Sequence, residues 1–137
     1  MIREATVSDI PALLAMGRAF ADEAGVTDRV GWSDDAAAQL LEQLVENENG
    51  VLFCSETGLI GGVVFAHPFS GQKVFQEMFW RSHGRDGIRL LRAAEARAKE
   101  LGATRSLMIG MDTMPDLHRL YSRLGYSPAE RTYVKGL

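Results

Sequence analysis

Cys54 is the only cysteine in the chain, so no intrachain disulfide can form, which suits a reducing compartment. The opening MIREATVSD has acidic residues and no apolar stretch, so it does not read as a signal peptide. No apolar run approaches the roughly 20 residues that a membrane helix needs. The expectation is a cytoplasmic protein with no membrane partner. A basic surplus is missing too: fifteen Lys and Arg face eighteen Asp and Glu, for a net charge of -3. A nucleic-acid binder would show a basic excess or stripe, so no nucleic-acid partner is expected. The arginines do concentrate between Arg81 and Arg105, at helical spacing and accompanied by glutamates. That local excess suits a small phosphate-bearing ligand better than a duplex.

What is present reads as one domain, residues 1–137, since this length cannot supply two independent cores. Ile2–Ala5 reads as a strand. A helix follows, capped by Thr6 or Ser8, with Pro11 in its first turn and Ile10, Leu13, Leu14, Gly17, Phe20 and Ala24 at helical spacing. Gly25–Trp32 has no period and reads as a loop. Ser33 caps a second helix striped by Ala37, Leu40, Leu41, Leu44 and Val45. Val51–Ser55 and Leu59–Ala66 form a hairpin, and Lys73–Trp80 adds a third antiparallel strand. Gly84-Arg85-Asp86-Gly87 then opens a long helix that ends at Leu101, with Gly102 just beyond it. Thr104–Gly110 is predicted as a strand, Pro115–Leu124 as a helix, and Thr132–Lys135 as a closing strand. The order is β-α-α-β-β-β-α-β-α-β, an α+β fold in detail and an α/β sandwich in outline.

The glycine-containing turn between the Phe75–Trp80 strand and the helix from Gly87 is the most informative local feature. Free N–H groups in a helix's first turn, with the positive end of its dipole, bind phosphate. Arg81 and Arg85 flank the turn and could add charge-assisted bonds, or could be solvated surface residues.

Three stretches, in this order, resemble the GNAT superfamily of N-acetyltransferases. IREATVSDIPALLAM is similar to the family's first strand and helix, and FQEMFWRSHGRDGIRLLRAAEARAKELGA to its acetyl-CoA-binding motif. HRLYSRLGYSPAERTYVKGL is similar to its penultimate helix and the strand after it. The resemblance implies a mixed α/β sheet with helices on both faces, splayed between the fourth and fifth strands to admit the pantetheine arm of acetyl-CoA. Backbone groups of Phe79, Trp80 and Arg81 would pair with that arm as an added strand does. Amides around His83, Gly84, Arg85, Asp86, Gly87 and Ile88 would hold the diphosphate. The other reading of His83 is a turn residue that touches nothing at all. Counted back from Leu90-Leu91, Gly87 fits the motif's last small position. Arg85 stands at its earlier glycine site and Ser82 at its leading Arg/Gln site. The turn looks shorter than the family's, and Met114 stands where the family often has asparagine.

The same resemblance suggests Glu77 as general base and Tyr121 as general acid. Alternation places Glu77 on one strand face with Phe75 and Phe79, where desolvation would raise its pKa. The other reading of Glu77 is a carboxylate paired with an arginine such as Arg81. The other reading of Tyr121 is a core residue with a satisfied hydroxyl. Direct attack on the thioester could also proceed without a dedicated base. His67 and His118 read as a turn residue and an exposed helical residue. With Cys54, which reads as core, the histidines show no metal-like spacing, so no metal is expected. The acceptor would be an amine, of a small molecule or a peptide. Asp22, Glu23, Asp28, Asp34 and Asp35 beside Trp32 would suit a cation, or would be ordinary solvated surface. The expected activity is acetyl transfer from acetyl-CoA to that amine. The alternative is a GNAT-fold module that binds CoA or a protein partner without catalysis. A homodimer is compatible with either.

Overall fold

The computed structural model describes residues 1–137. A two-residue strand, β1 (Arg3–Glu4), leads through a 3-10 turn at Val7–Asp9 into α1 (Ile10–Ala24). The turn is a capping box in which the Thr6 N–H donates to the Asp9 carboxylate at 2.8 Å. Pro11 lies in the first turn of α1, where its missing N–H removes no helical bond, and Gly25 at φ 78° ends the helix. A one-turn helix, α2 (Val26–Val30), precedes α3 (Asp34–Glu46), whose Ala36 N–H donates to the Ser33 hydroxyl at 3.2 Å. Three strands follow: β2 (Gly50–Cys54), β3 (Gly58–Ala66) and β4 (Lys73–Ser82). The chain then builds α4 (Gly87–Glu100), β5 (Arg105–Leu107) and α5 (Pro115–Arg123). No helix is long and apolar enough to cross a membrane.

The strands form one sheet in the order β1-β2-β3-β4-β5. Neighbours are antiparallel as far as β4, and β5 joins β4 in parallel. Alternating side chains give the sheet two apolar faces. Val51, Ile60, Val64 and Phe75 pack on Leu90, Leu91, Ala94 and Ala98 of α4. Leu52, Cys54 and Leu59 pack on Ile10 and Leu13 of α1 and on Leu41 and Leu44 of α3. A mixed sheet with helices on both faces is thus the architecture observed, as the sequence predicts.

Three local expectations need correction. Gly25–Trp32 is not all loop, because α2 occupies its middle; the run VTDRV closes one helical turn between Gly25 and Gly31. Thr104–Gly110 is strand only over Arg105–Leu107, because the chain then leaves β4. Thr132–Lys135 forms no strand: Tyr133 and Val134 are 83% and 59% exposed and the segment has no ladder partner. Its residue pattern is strand-like, but a strand exists only through pairing, and pattern alone supplies no neighbour.

A β-bulge divides β4. Gly62 pairs with Glu77 and Gly61 with Phe79, so Met78 is an extra residue with no partner on β3. The insertion resets the alternation. Phe75, before it, packs on the α4 side, whereas Phe79, after it, packs on the α1/α3 side and Trp80 takes the α4 side. Glu77 therefore does not share a face with Phe79 as simple alternation predicts. The bulge also presses the two strands together: a Cβ on Gly62 would collide with the Gln76 carbonyl and lie 2.7 Å from the Phe75 ring. In an ordinary strand Gly→Ala stabilises by about 0.5–1 kcal/mol. Gly62→Ala is expected to destabilise by about 1–3 kcal/mol instead, through overpacking. Urea denaturation of the variant checks this, and a neutral or stabilising result would count against the packing described.

Candidate active site

β5 accompanies β4 only where Arg105–Leu107 lies opposite Val74–Gln76. From Glu77 to Ser82, β4 keeps β3 on one side and has no strand on the other. The backbone groups that a ladder would have used must find other partners. At Ile109 they find side chains. The Ile109 N–H donates to Glu77 Oε2 at 3.0 Å, and the Ile109 carbonyl accepts the Tyr121 hydroxyl at 2.7 Å. One residue just beyond β5 is thus gripped from β4 and from α5 at once. Glu77 and Tyr121, named separately from the sequence, meet there.

Burial sets the electrostatics of this pair. Glu77 is 2% exposed, and desolvation pushes its pKa up to about 8, opposed only in part by the Ile109 N–H. It has no cationic partner. Arg81, the sequence's alternative, turns to the other face of the sheet and makes a two-pronged ion pair with Glu23 at 3.0 and 3.2 Å. Desolvation first, and then the charge of Glu77, raises the Tyr121 phenol well above its ordinary value, so that it stays protonated. The Tyr121 ring lies between Trp80 and Tyr126, with centroids 5.9 and 5.6 Å away.

The turn from β4 to α4 is four residues, His83–Asp86. His83, Gly84 and Arg85 are exposed, as is Ile88, while Asp86 and Gly87 are half-buried. Asp86 stands at the N-cap of α4, yet its carboxylate does not cap the helix. The Ser82 hydroxyl donates to it, as does Thr57 Oγ1 at 3.3 Å. Hydroxyl donation, from Ser55 above all and then Ser82, holds its pKa below the usual carboxylate range. The first-turn amides of Gly87, Ile88 and Arg89 are consequently left without a side-chain cap, in keeping with an anion-binding helix terminus. The His83 N–H is taken by the Thr57 carbonyl at 2.9 Å and the Gly84 N–H by Ser82 Oγ at 3.2 Å. The predicted diphosphate cradle thus narrows to its helical end. These residues fit a diphosphate there, and β4 from Phe79 to Arg81 lies along the unpaired edge.

Two contacts fasten the α1/α2 corner to this region. Thr113 Oγ1 donates to the Ala24 carbonyl at 2.7 Å, and Glu23 holds Arg81. Of the five acidic residues expected to suit a cation, three are engaged within the chain. Glu23 pairs with Arg81, Asp22 accepts the Thr27 hydroxyl at 2.8 Å, and Asp34 accepts the Trp32 indole N–H at 2.7 Å. Asp28 and Asp35 remain exposed. His67 accepts the Phe69 N–H in its turn, and His118 is exposed with its ring over Gly110.

Sequence reasoning missed Ile109, which contributes only backbone, and the indole of Trp80, whose N–H donates to the Gly87 carbonyl at 3.0 Å and so ties β4 to the start of α4. It also missed Ser55 and Thr57, which hold Asp86 from across the sheet. The one available signal was the abundance of hydroxyls in the β2–β3 turn.

No family model matches the chain, and no curated protein matches it in sequence. Solved structures do. A transcriptional regulator from Bacillus halodurans C-125 superposes with a TM-score of 0.78 at 20% identity, over 100% of this chain and 99% of the other. AAC(6')-Iy in complex with the bisubstrate analog CoA-S-monomethyl-acetylneamine gives 0.78 at 13% identity, over 100% and 97%. Ribosomal-protein-alanine N-acetyltransferase from Brucella melitensis biovar Abortus 2308 gives 0.72 at 14%, over 100% and 99%. With β4 and β5 parted beside a bare helix terminus, and full-length overlap with these structures, the chain has the GNAT fold.

Proposed function

We propose that this chain is an acetyl-CoA-dependent N-acetyltransferase acting on a primary amine, of a small molecule or a peptide, by direct attack. The observation that carries this reading is the shared grip of Glu77 and Tyr121 on Ile109 at the point where β4 and β5 part. It sets a carboxylate whose pKa is pushed up to about 8 and a protonated phenol beside the split in which the acyl donor would lie. Solved structures with this fold include N-acetyltransferases and one complex with a CoA bisubstrate analog, which supports the same donor here.

Acetyl-CoA, when bound, supplies an activated acyl group as a thioester. Gly87, Ile88 and Arg89 would hold its diphosphate, and the free edge of β4 at Phe79–Arg81 its pantetheine arm. An amine must be neutral to attack. Glu77, ionised above its raised pKa, would take the proton as the nitrogen–carbon bond forms. Tyr121 would release Ile109 and donate its proton to the sulfur as the carbon–sulfur bond breaks, recovering it from solvent. Atoms and charge balance: the amine loses one proton and the departing thiolate gains one.

Release of free CoA from acetyl-CoA across a panel of primary amines is the direct test, with turnover of at least one amine expected. Binding of acetyl-CoA with no turnover of any would instead favour a non-catalytic module.

The sign of the pH dependence follows from Glu77. Its folded pKa, about 8, exceeds the ordinary 4.5, so the folded protein holds an extra proton between those values and stability falls as pH rises through that window. Catalysis needs the ionised form, so kcat/KM should rise across about pH 8. Glu77→Gln should lower kcat on the order of 10²-fold and abolish that limb. It should also flatten the loss of stability between the ordinary and the raised pKa. A Glu77→Gln variant with the limb intact would remove Glu77 from the mechanism.

Tyr121→Phe should lower kcat by a similar factor, on the order of 10²-fold, while leaving CoA affinity within about twofold. Equal kcat in the variant, measured with a turned-over amine, would reduce Tyr121 to a packing residue.

A further inference from the structure

The opening between β4 and the chain beyond β5 is bordered differently on the two faces of the sheet. On the α4 side the rings of Trp80, Tyr121 and Tyr126 stand side by side. On the α1 side lies the end of α1, bonded to both lips of the opening by consecutive residues. Glu23 holds Arg81 of β4 in its two-pronged ion pair, and the Ala24 carbonyl accepts the Thr113 hydroxyl from the chain beyond β5 at 2.7 Å. The last carbonyls of a helix have no partner within it and are open to side chains. Thr113 takes that of Ala24, and the Arg29 guanidinium takes the Gly25 carbonyl at 3.1 Å, which fixes the corner between α1 and α2. The fit is close: Ala21 and Ala24 are fully buried, and a Cβ on Gly25 would lie 3.4 Å from the Thr113 methyl. The Arg81 side chain is only 9% exposed, and Glu23 is the carboxylate that neutralises it. A reactant that does not run along β4 has to reach the thioester through this opening. With three rings on the α4 side, the α1 side is the way left, and two bonds fix its width.

We propose that Glu23 and Thr113 are positioning residues that clasp the opening from the α1 side, hold its lips at a fixed separation and so limit the bulk of the amine admitted. The assignment rests on the transferase reading above. Neither side chain has to touch the amine. Each acts through the placement of α1 against one lip, and a small displacement of reacting groups is costly to acyl transfer.

Steady-state kinetics with two primary amines, one linear and one branched beside the nitrogen, test it in Glu23→Gln and Thr113→Val. The wild type should prefer the linear amine, and each variant should narrow that preference about tenfold, chiefly through KM. Calorimetric affinity for acetyl-CoA should stay within about twofold, and Thr113→Ser, which keeps the donor, should keep the wild-type preference. General destabilisation would depress both amines together and leave their ratio unchanged. An unchanged ratio in either variant, or a wild type indifferent to branching, would overturn the assignment and leave the transferase reading standing. A loss of acetyl-CoA affinity that tracks the change in ratio would overturn it too. Hydrogen exchange supplies a measurement that needs no turnover. The amides of Gly25, Arg29 and Gly31, bonded within the corner, should exchange about tenfold faster in either variant, and equal rates would overturn the clasp. A wild type that turns over no amine would overturn both readings.

Discussion

The grip on Ile109 is the constraint from which the rest of the site follows. Two parallel strands in one sheet stay together unless something else satisfies the groups between them, because unpaired buried amides and carbonyls cost about 1–3 kcal/mol each. Glu77 and Tyr121 provide that substitute, so the separation of β4 from β5 is a bonded state. The same arrangement buries the carboxylate, fixes the phenol and leaves the last residues of β4 paired on the β3 side alone. Opening, acid–base character and exposed edge share one origin.

A second economy operates at the start of α4. An aspartate at an N-cap ordinarily caps its own helix. Here hydroxyls from Ser82 and the β2–β3 turn draw Asp86 aside, and Trp80 fastens the first helical carbonyl to β4. The turn is only four residues long, so stiffness comes from side-chain bonds that reach it from β4 and from the β2–β3 connection. A negative charge does remain close to the proposed phosphate position.

Legibility from sequence followed the range of the interactions. Local chemistry was readable: the Ser33 cap, Pro11 in a first turn, and Gly102 beyond α4 at φ 96° all do what their residue types favour. The two apolar faces were readable from periodicity, and resemblance to known motifs drew attention to Glu77 and Tyr121, which the structure brings together at Ile109. Ile109 was not, because its contribution is a peptide unit that any residue would carry. Nor was the bulge at Met78, since Phe75, Glu77 and Phe79 alternate as well in a regular strand as in an interrupted one. The segment Thr132–Lys135 failed for the reciprocal reason: its pattern is right for a strand, and pattern does not create a neighbour.

The Met78 insertion has a consequence for how this chain can change over generations. Substituting a residue of β4 leaves the facing of its neighbours unchanged, but losing a single codon there would exchange the inner and outer faces of every residue on one side of the gap. Phe79, Trp80 and Arg81 would be turned toward the wrong helices, and the tether to Glu23 would point away from α1. The packing therefore constrains the length of this strand more tightly than the residue type at 78.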